Sequence, residues 1–292
     1  MAISSTTASL HSNGNIEIIT NGLPDPALYG DPLGSGLFPD NPNTITPHTQ
    51  TFEFFYRGGE AKDLPNPQQT TLGPQGIALN GVVLFNPSAA PGPLPGTTTQ
   101  PPVGFSYNAV YNEDAYGVDA CGGHPEEDGN YHYHSAAFLV NCWGSKVISS
   151  NSYFSSSSYN GDYFRHPDGH SKIVGICFDG YPIYGPFGYT NPNDQLSEPI
   201  RMRSSYRAYP SPRVGRGSTY AQIPPGVYVQ DFEYVENLGT LDEFNGRYSV
   251  TPDYPSGTYA YYLTVDSENR PVYPYIFGNS TRKPRASFEH AH

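Results

Sequence analysis

The sequence predicts a mostly β protein, a compact multi-stranded fold with an approximate internal duplication and few or no long helices. Three observations lead there. Gly 31 and Pro 30 punctuate a chain of 292 residues with turns, as short strands require. Tyr 25 and Phe 15 are spread over nearly the whole length and supply the apolar surface that separates a folded chain from a disordered one. Between the turns run short segments rich in Val, Ile, Tyr, Phe and Thr, the composition of a pleated, half-buried surface.

In chain order, residues 1–14 are expected to form an N-terminal arm, followed by one β domain over 15–280 and a polar tail over 281–292. Candidate strands are 15–20, 50–56, 76–85, 130–136, 172–178, 227–235, 258–265 and 272–277. The Pro-rich stretch 86–102 and the serine-rich stretch 151–160 read as surface loops, and neither is long enough for an interdomain linker.

The internal duplication is read from recurring order. Asn80-Gly-Val-Val-Leu-Phe is followed by Asp119-Ala-Cys-Gly-Gly-His and then by Gly129-Asn-Tyr-His-Tyr-His. Asp179-Gly-Tyr-Pro-Ile-Tyr, Asp242-Glu-Phe-Asn-Gly-Arg and Gly257-Thr-Tyr-Ala-Tyr-Tyr follow in the same sequence. Half one then spans about 70–145, and half two spans about 170–280 with an Arg-rich insertion at 200–217. Chance reuse of Asn-Gly and Asp-Gly hairpin dipeptides is the alternative. On a strand, Tyr131 and Tyr133 share one face while His132 and His134 share the other. The second copy keeps the tyrosines as Tyr259 and Tyr261 but carries Ala260 and Tyr262 at the histidine positions. The tyrosine face is therefore expected to be core, and the histidine face to serve a function of the first copy alone.

Charge narrows the partners. A net charge of −12 with only 15 Lys and Arg argues against a nucleic-acid surface, because phosphate binding needs basic side chains. The cluster from Arg201 to Arg216 reads as a solvated loop that balances the acidic remainder. No run approaches the ~18 apolar residues of a membrane span, and the N-terminus lacks the basic and apolar segments of a Sec signal. Cys121, Cys142 and Cys177 are too few for a disulfide framework. All three are expected as buried thiols, with a Cys121–Cys142 bridge as the alternative.

Five histidines, His124, His132, His134, His166 and His170, fall in one central stretch. Two imidazoles at i and i+2 of a strand point at one place, a common way to supply two nitrogen ligands to a transition metal. His132 and His134 are expected to meet His124 or His170, with Asp179 or Asp119 as a carboxylate ligand or as a group orienting a ligand. The candidate set is thus His124, His132, His134, His170 and Asp179, holding a divalent transition metal whose identity the ligand types leave open. A hydrogen-bonded ladder of Tyr and His is the alternative. His166 is separated from His170 by Pro167, Asp168 and Gly169, so a turn replaces any helical pair. His290 and His292 lie in the tail.

Tyr131-His132-Tyr133-His134, preceded by Gly122-Gly123-His124 and followed by His170-Ser-Lys-Ile-Val-Gly-Ile-Cys-Phe-Asp179-Gly180-Tyr-Pro-Ile-Tyr-Gly185, resembles the YHYH-domain family. Asn21-Gly-Leu-Pro-Asp, Leu72-Gly-Pro-Gln-Gly-Ile-Ala-Leu-Asn-Gly-Val and Thr251-Pro-Asp-Tyr-Pro-Ser-Gly-Thr-Tyr-Ala-Tyr extend the resemblance over about residues 15–280. The resemblance brings no catalytic assignment. It implies a structural component of a tailed-phage virion, associated with tail, baseplate or fibre, whose partners are other virion proteins or copies of itself. A secreted bacterial metal-binding protein or metal-dependent hydrolase is the alternative, with an extracellular location. No nucleophile elbow, phosphate loop or zincin helix occurs in the sequence.

Overall fold

The computed structural model describes residues 5–24, 43–58, 68–70, 72–89, 100–101, 103–111, 117–119, 121–139, 165–209 and 223–281. The serine-rich loop, Cys142, Asp162, Arg213, Arg216 and the C-terminal histidines lie outside that set, as do most of the Pro-rich loop and the tail. In chain order the strands are β1 (Thr6–Leu10), β2 (Asn15–Thr20), β3 (Gln50–Phe55), β4 (Gln68–Gln69), β5 (Pro74–Ala78), β6 (Val83–Phe85), β7 (Gly123–Pro125), β8 (Tyr131–Tyr133) and β9 (Ile173–Cys177). They continue as β10 (Pro182–Tyr184), β11 (Phe187–Tyr189), β12 (Pro199–Arg201), β13 (Tyr206–Ala208), β14 (Phe232–Tyr234), β15 (Gly246–Ser249), β16 (Thr258–Tyr262) and β17 (Ser280–Thr281). The fold is mostly β, as expected. No helix among the described residues is long and apolar enough to cross a membrane.

Eight strands form the central sheet, in the order β15-β16-β10-β9-β5-β6-β8-β7. Its two halves match in order and register. β5 and β6 are an antiparallel hairpin, β6 runs parallel to β8, and β8 is antiparallel to β7. β9, β10, β16 and β15 repeat those relations. The halves join through β5 and β9, where Ile77 faces Ile176 and the flanking pairs are Gly76 with Cys177 and Ala78 with Gly175. The two glycines are required by space, since a Cβ on Gly76 would stand 2.7 Å from the Ile176 carbonyl and one on Gly175 would stand 2.6 Å from that of Ile77.

One face of this sheet carries the tyrosines. Tyr131, Tyr133, Tyr259 and Tyr261 are all buried in the largest apolar cluster, together with Cys177, Tyr181 and Phe277. Each ring also finds a polar terminus. Tyr131 donates to the Asp119 carboxylate at 2.5 Å and Tyr261 to that of Asp179 at 2.5 Å, so the hydroxyls are satisfied inside the core as burial demands. On the other face of half one, Ile77, Val83, Phe85 and Phe178 pack against Ile18, Phe52 and Phe54. These last three come from the separate sheet β1-β2-β3.

Several expected elements differ from those found. The run 76–85 is two strands, not one, because Asn80 and Gly81 turn the chain. The Asn80 side chain accepts from the Val82 amide at 3.2 Å, and Gly81 sits at φ 87°. The run 272–277 is not a strand, and Tyr275 there takes φ 70°. The run 227–235 is split by a 3-10 turn at Val229–Asp231, whose Asp231 carboxylate accepts from the amides of Gly226 and Tyr228. Thr6–Leu10, within the expected N-terminal arm, pairs with β2 along its whole length. Cys121 corrects the expectation of three thiols, because it is disulfide-bonded. Cys177 is free and buried, and burial pushes its thiol pKa well up.

Candidate metal centre

The site is assembled by one hairpin. β7 and β8 are antiparallel, and their register sets His124 opposite His132. Cross-strand neighbours have Cβ atoms ~4.5–5.5 Å apart, and His134, two residues past His132, emerges on the same face. The hairpin's sequence fixes that register. Gly129 turns at φ 90°, and a Cβ there would lie 2.2 Å from Thr46 Oγ1. Asp128 accepts from the Asn130 amide at 2.9 Å, and the Glu126 amide donates to the Asn130 carbonyl.

The three imidazoles converge through their Nε2 atoms. His124 Nε2 and His134 Nε2 each lie 3.0 Å from His132 Nε2, and the three histidines offer ligand atoms all within 4.8 Å of one another. Ligands bound at ~2.0–2.1 Å to one ion stand roughly 3.3–3.6 Å apart, so each of the two 3.0 Å sides needs to open by only a few tenths of an ångström. His132 and His134 are 3% and 4% exposed, and His124 is half-buried.

The remaining ring nitrogens settle the tautomers. His134 Nδ1 donates to the Asn86 carbonyl at 2.8 Å and His132 Nδ1 donates to the Asn130 carbonyl at 3.2 Å. A peptide oxygen only accepts, so both Nδ1 atoms carry hydrogen and both Nε2 atoms present lone pairs. Protonation at Nε2 is opposed by the surroundings. Burial lowers the pKa of His134 to about 3, with the His124 charge adding to the effect. Burial lowers His124 to about 4. His132 is held well below its ordinary value by burial and then by the charges of its two neighbours. His124 Nδ1 is buried without a hydrogen-bond partner among the described residues.

Phe85, at the end of β6, walls the site. Its ring stacks on His132 at 4.0 Å between centroids and meets His134 edge-on at 5.6 Å. Phe85 and the Asn86 and Asn130 carbonyls are supporting groups that sequence reasoning did not single out. The signal for Phe85 was its place at the end of the apolar run beginning at Asn80.

Two expected ligands lie elsewhere. Asp179 is engaged with the Tyr261 hydroxyl and with the Tyr181 amide at 3.2 Å. It anchors the tyrosine face of half two, as Asp119 does for Tyr131 in half one. His170 is fully buried among Tyr184, Tyr189 and Tyr262. Its Nδ1 donates to the Ser171 carbonyl at 2.6 Å, and its Nε2 is buried without a hydrogen-bond partner among the described residues. The group of described residues able to share an ion is His124, His132 and His134. At the matching registers of half two stand Arg247 and Ala260, with Tyr262 two residues beyond, so three of the converging groups are replaced.

Fold and site together define a β-sheet protein with a triad of converging imidazoles on one hairpin, two of them buried and the third half-buried. The chain belongs to the YHYH protein family, whose model matches residues 59–274. Two of the three imidazoles come from the tetrapeptide Tyr131-His132-Tyr133-His134. No curated protein and no solved structure matches the chain.

Proposed function

We propose that this chain is a metal-binding protein that holds one transition-metal ion on His124, His132 and His134. The observation that supports it is the 3.0 Å approach of His132 Nε2 to His134 Nε2, with each ring's hydrogen committed to a carbonyl on its far side. Two acceptors facing each other in a buried place repel, and neither gains a hydrogen bond. A cation between them turns the repulsion into two coordinate bonds. A hydrogen-bonded ladder would leave a proton between those atoms, which their tautomers do not provide.

The disulfide at Cys121 favours the exported setting for this metal-binding role, since disulfides persist in oxidising compartments. Placement in a tailed-phage virion rests on the family resemblance alone. Elemental analysis of untagged protein is expected to find about one transition metal per chain, lost in a His132→Ala, His134→Ala double variant. Metal-free wild-type protein that stays metal-free after exposure to copper, zinc, nickel and iron salts would refute the proposal.

A further inference from the structure

The charge of the site points to the ion. All three ligands are neutral imidazoles, and no carboxylate or thiolate among the described residues joins them. The groups behind the ligands are neutral as well. His132 and His134 donate to peptide carbonyls, where many metal-bound histidines donate to carboxylates that add negative charge and ligand basicity. Phe85 contributes an apolar wall over His132. An ion bound there leaves water without acquiring a counter-charge. The self-energy of an ion in a poorly polarisable medium grows with the square of its charge, so a divalent ion costs about four times as much as a univalent one of similar size.

Resting on the metal-binding reading above, we propose that the ion this site selects is univalent copper, Cu(I). Nitrogen ligands suit copper, whereas the other common univalent cations, sodium and potassium, favour oxygen donors. Three-coordination by the converging Nε2 atoms satisfies Cu(I) without a further ligand. Zn(II) in the same triad needs a fourth ligand, and a bound hydroxide or another anion to offset its charge. The site thereby stabilises Cu(I) against oxidation, since Cu(II) carries the higher charge into the same neutral surroundings.

The test is a pair of competition titrations on the apoprotein with its disulfide intact. Cu(I) is titrated anaerobically against a chromophoric Cu(I) chelator, and Zn(II) against a chromophoric zinc chelator, with Ag(I) as a redox-inert univalent probe. One equivalent of Cu(I) or Ag(I) is expected to bind and to displace preloaded Zn(II), and X-ray absorption should report three nitrogen ligands. His124→Ala changes a half-buried residue near the sheet edge and leaves the fold's tyrosine face intact. It should weaken Cu(I) binding more than about 100-fold with an unchanged near-ultraviolet dichroism spectrum. Zn(II) retained at one equivalent against excess Cu(I) overturns the Cu(I) assignment and leaves the metal site standing. Failure of every ion to bind overturns both.

Discussion

The hydroxyl of Tyr131 lies 2.1 Å from the place where a Cβ on Gly123 would be. That hydroxyl reaches under β7 to the Asp119 carboxylate, which also accepts from the Gly123 amide at 3.0 Å. Gly246 and Tyr259 repeat the relation in half two, at 2.3 Å, where Tyr259 donates to Asp242. The absence of a side chain at Gly123 is what lets one strand carry a core tyrosine on one face and a ligand-bearing neighbour on the other.

Gly123→Ala should therefore cost ~2–4 kcal/mol, from overpacking together with a disturbed hydrogen bond to a buried carboxylate. It should also weaken metal binding, because β7 carries His124. Gly246→Ala should destabilise by a similar amount and leave metal affinity unchanged. Urea unfolding and metal titration of both variants check this, and a Gly246→Ala protein with impaired metal binding contradicts the local account.

His124→Ala should separate stability from binding. In the metal-free protein His124 Nδ1 has no partner among the described residues and its Nε2 faces another imidazole, so truncation should cost less than ~1 kcal/mol. In the presence of metal at 100 times its dissociation constant, the wild type gains ~2.7 kcal/mol by mass action and the variant should gain little of it. Thermal melts with and without metal measure both terms. A large loss in the metal-free variant would show that the imidazole is structural.

His170 should make the protein sensitive to acid. Burial lowers its pKa from the ordinary 6.5 to about 4. Between those values the unfolded chain binds a proton that the folded chain refuses. Its contribution to stability is thus complete above pH 6.5 and is lost as pH falls through that window to about 4. His170→Phe, which suits the surrounding tyrosine rings, should flatten the dependence of the urea midpoint on pH by up to one proton. An unaltered slope would mean that His170 takes up its proton in the folded state.

The fold class and the tyrosine face were legible because both depend on local pattern. Turn residues bound the strands, and the i, i+2 alternation separates Tyr131 and Tyr133 from His132 and His134. His124 was legible from its place in the same central stretch of histidines, and its register with His132 came from the strand pairing. His170 and Asp179 were expected beside the histidine strand because the histidines cluster along the chain, and distance along the chain does not say how far apart the two halves of a sheet hold their residues. Both belong to half two, across the Ile77–Ile176 pair. The tautomers, set by the Asn86 and Asn130 carbonyls, rest on backbone positions that no residue pattern reveals.

β7 is three residues long and forms one margin of the eight-stranded sheet, so among the described residues it is held to the sheet on one side only. A marginal strand of that length opens and closes readily in most proteins. Here an ion bound by His124 and by the two β8-side histidines would fasten the margin to its neighbour, and the ion could leave only as fast as the margin frays. Metal lifetime and amide exchange along Gly123–Pro125 would then be two clocks driven by one motion.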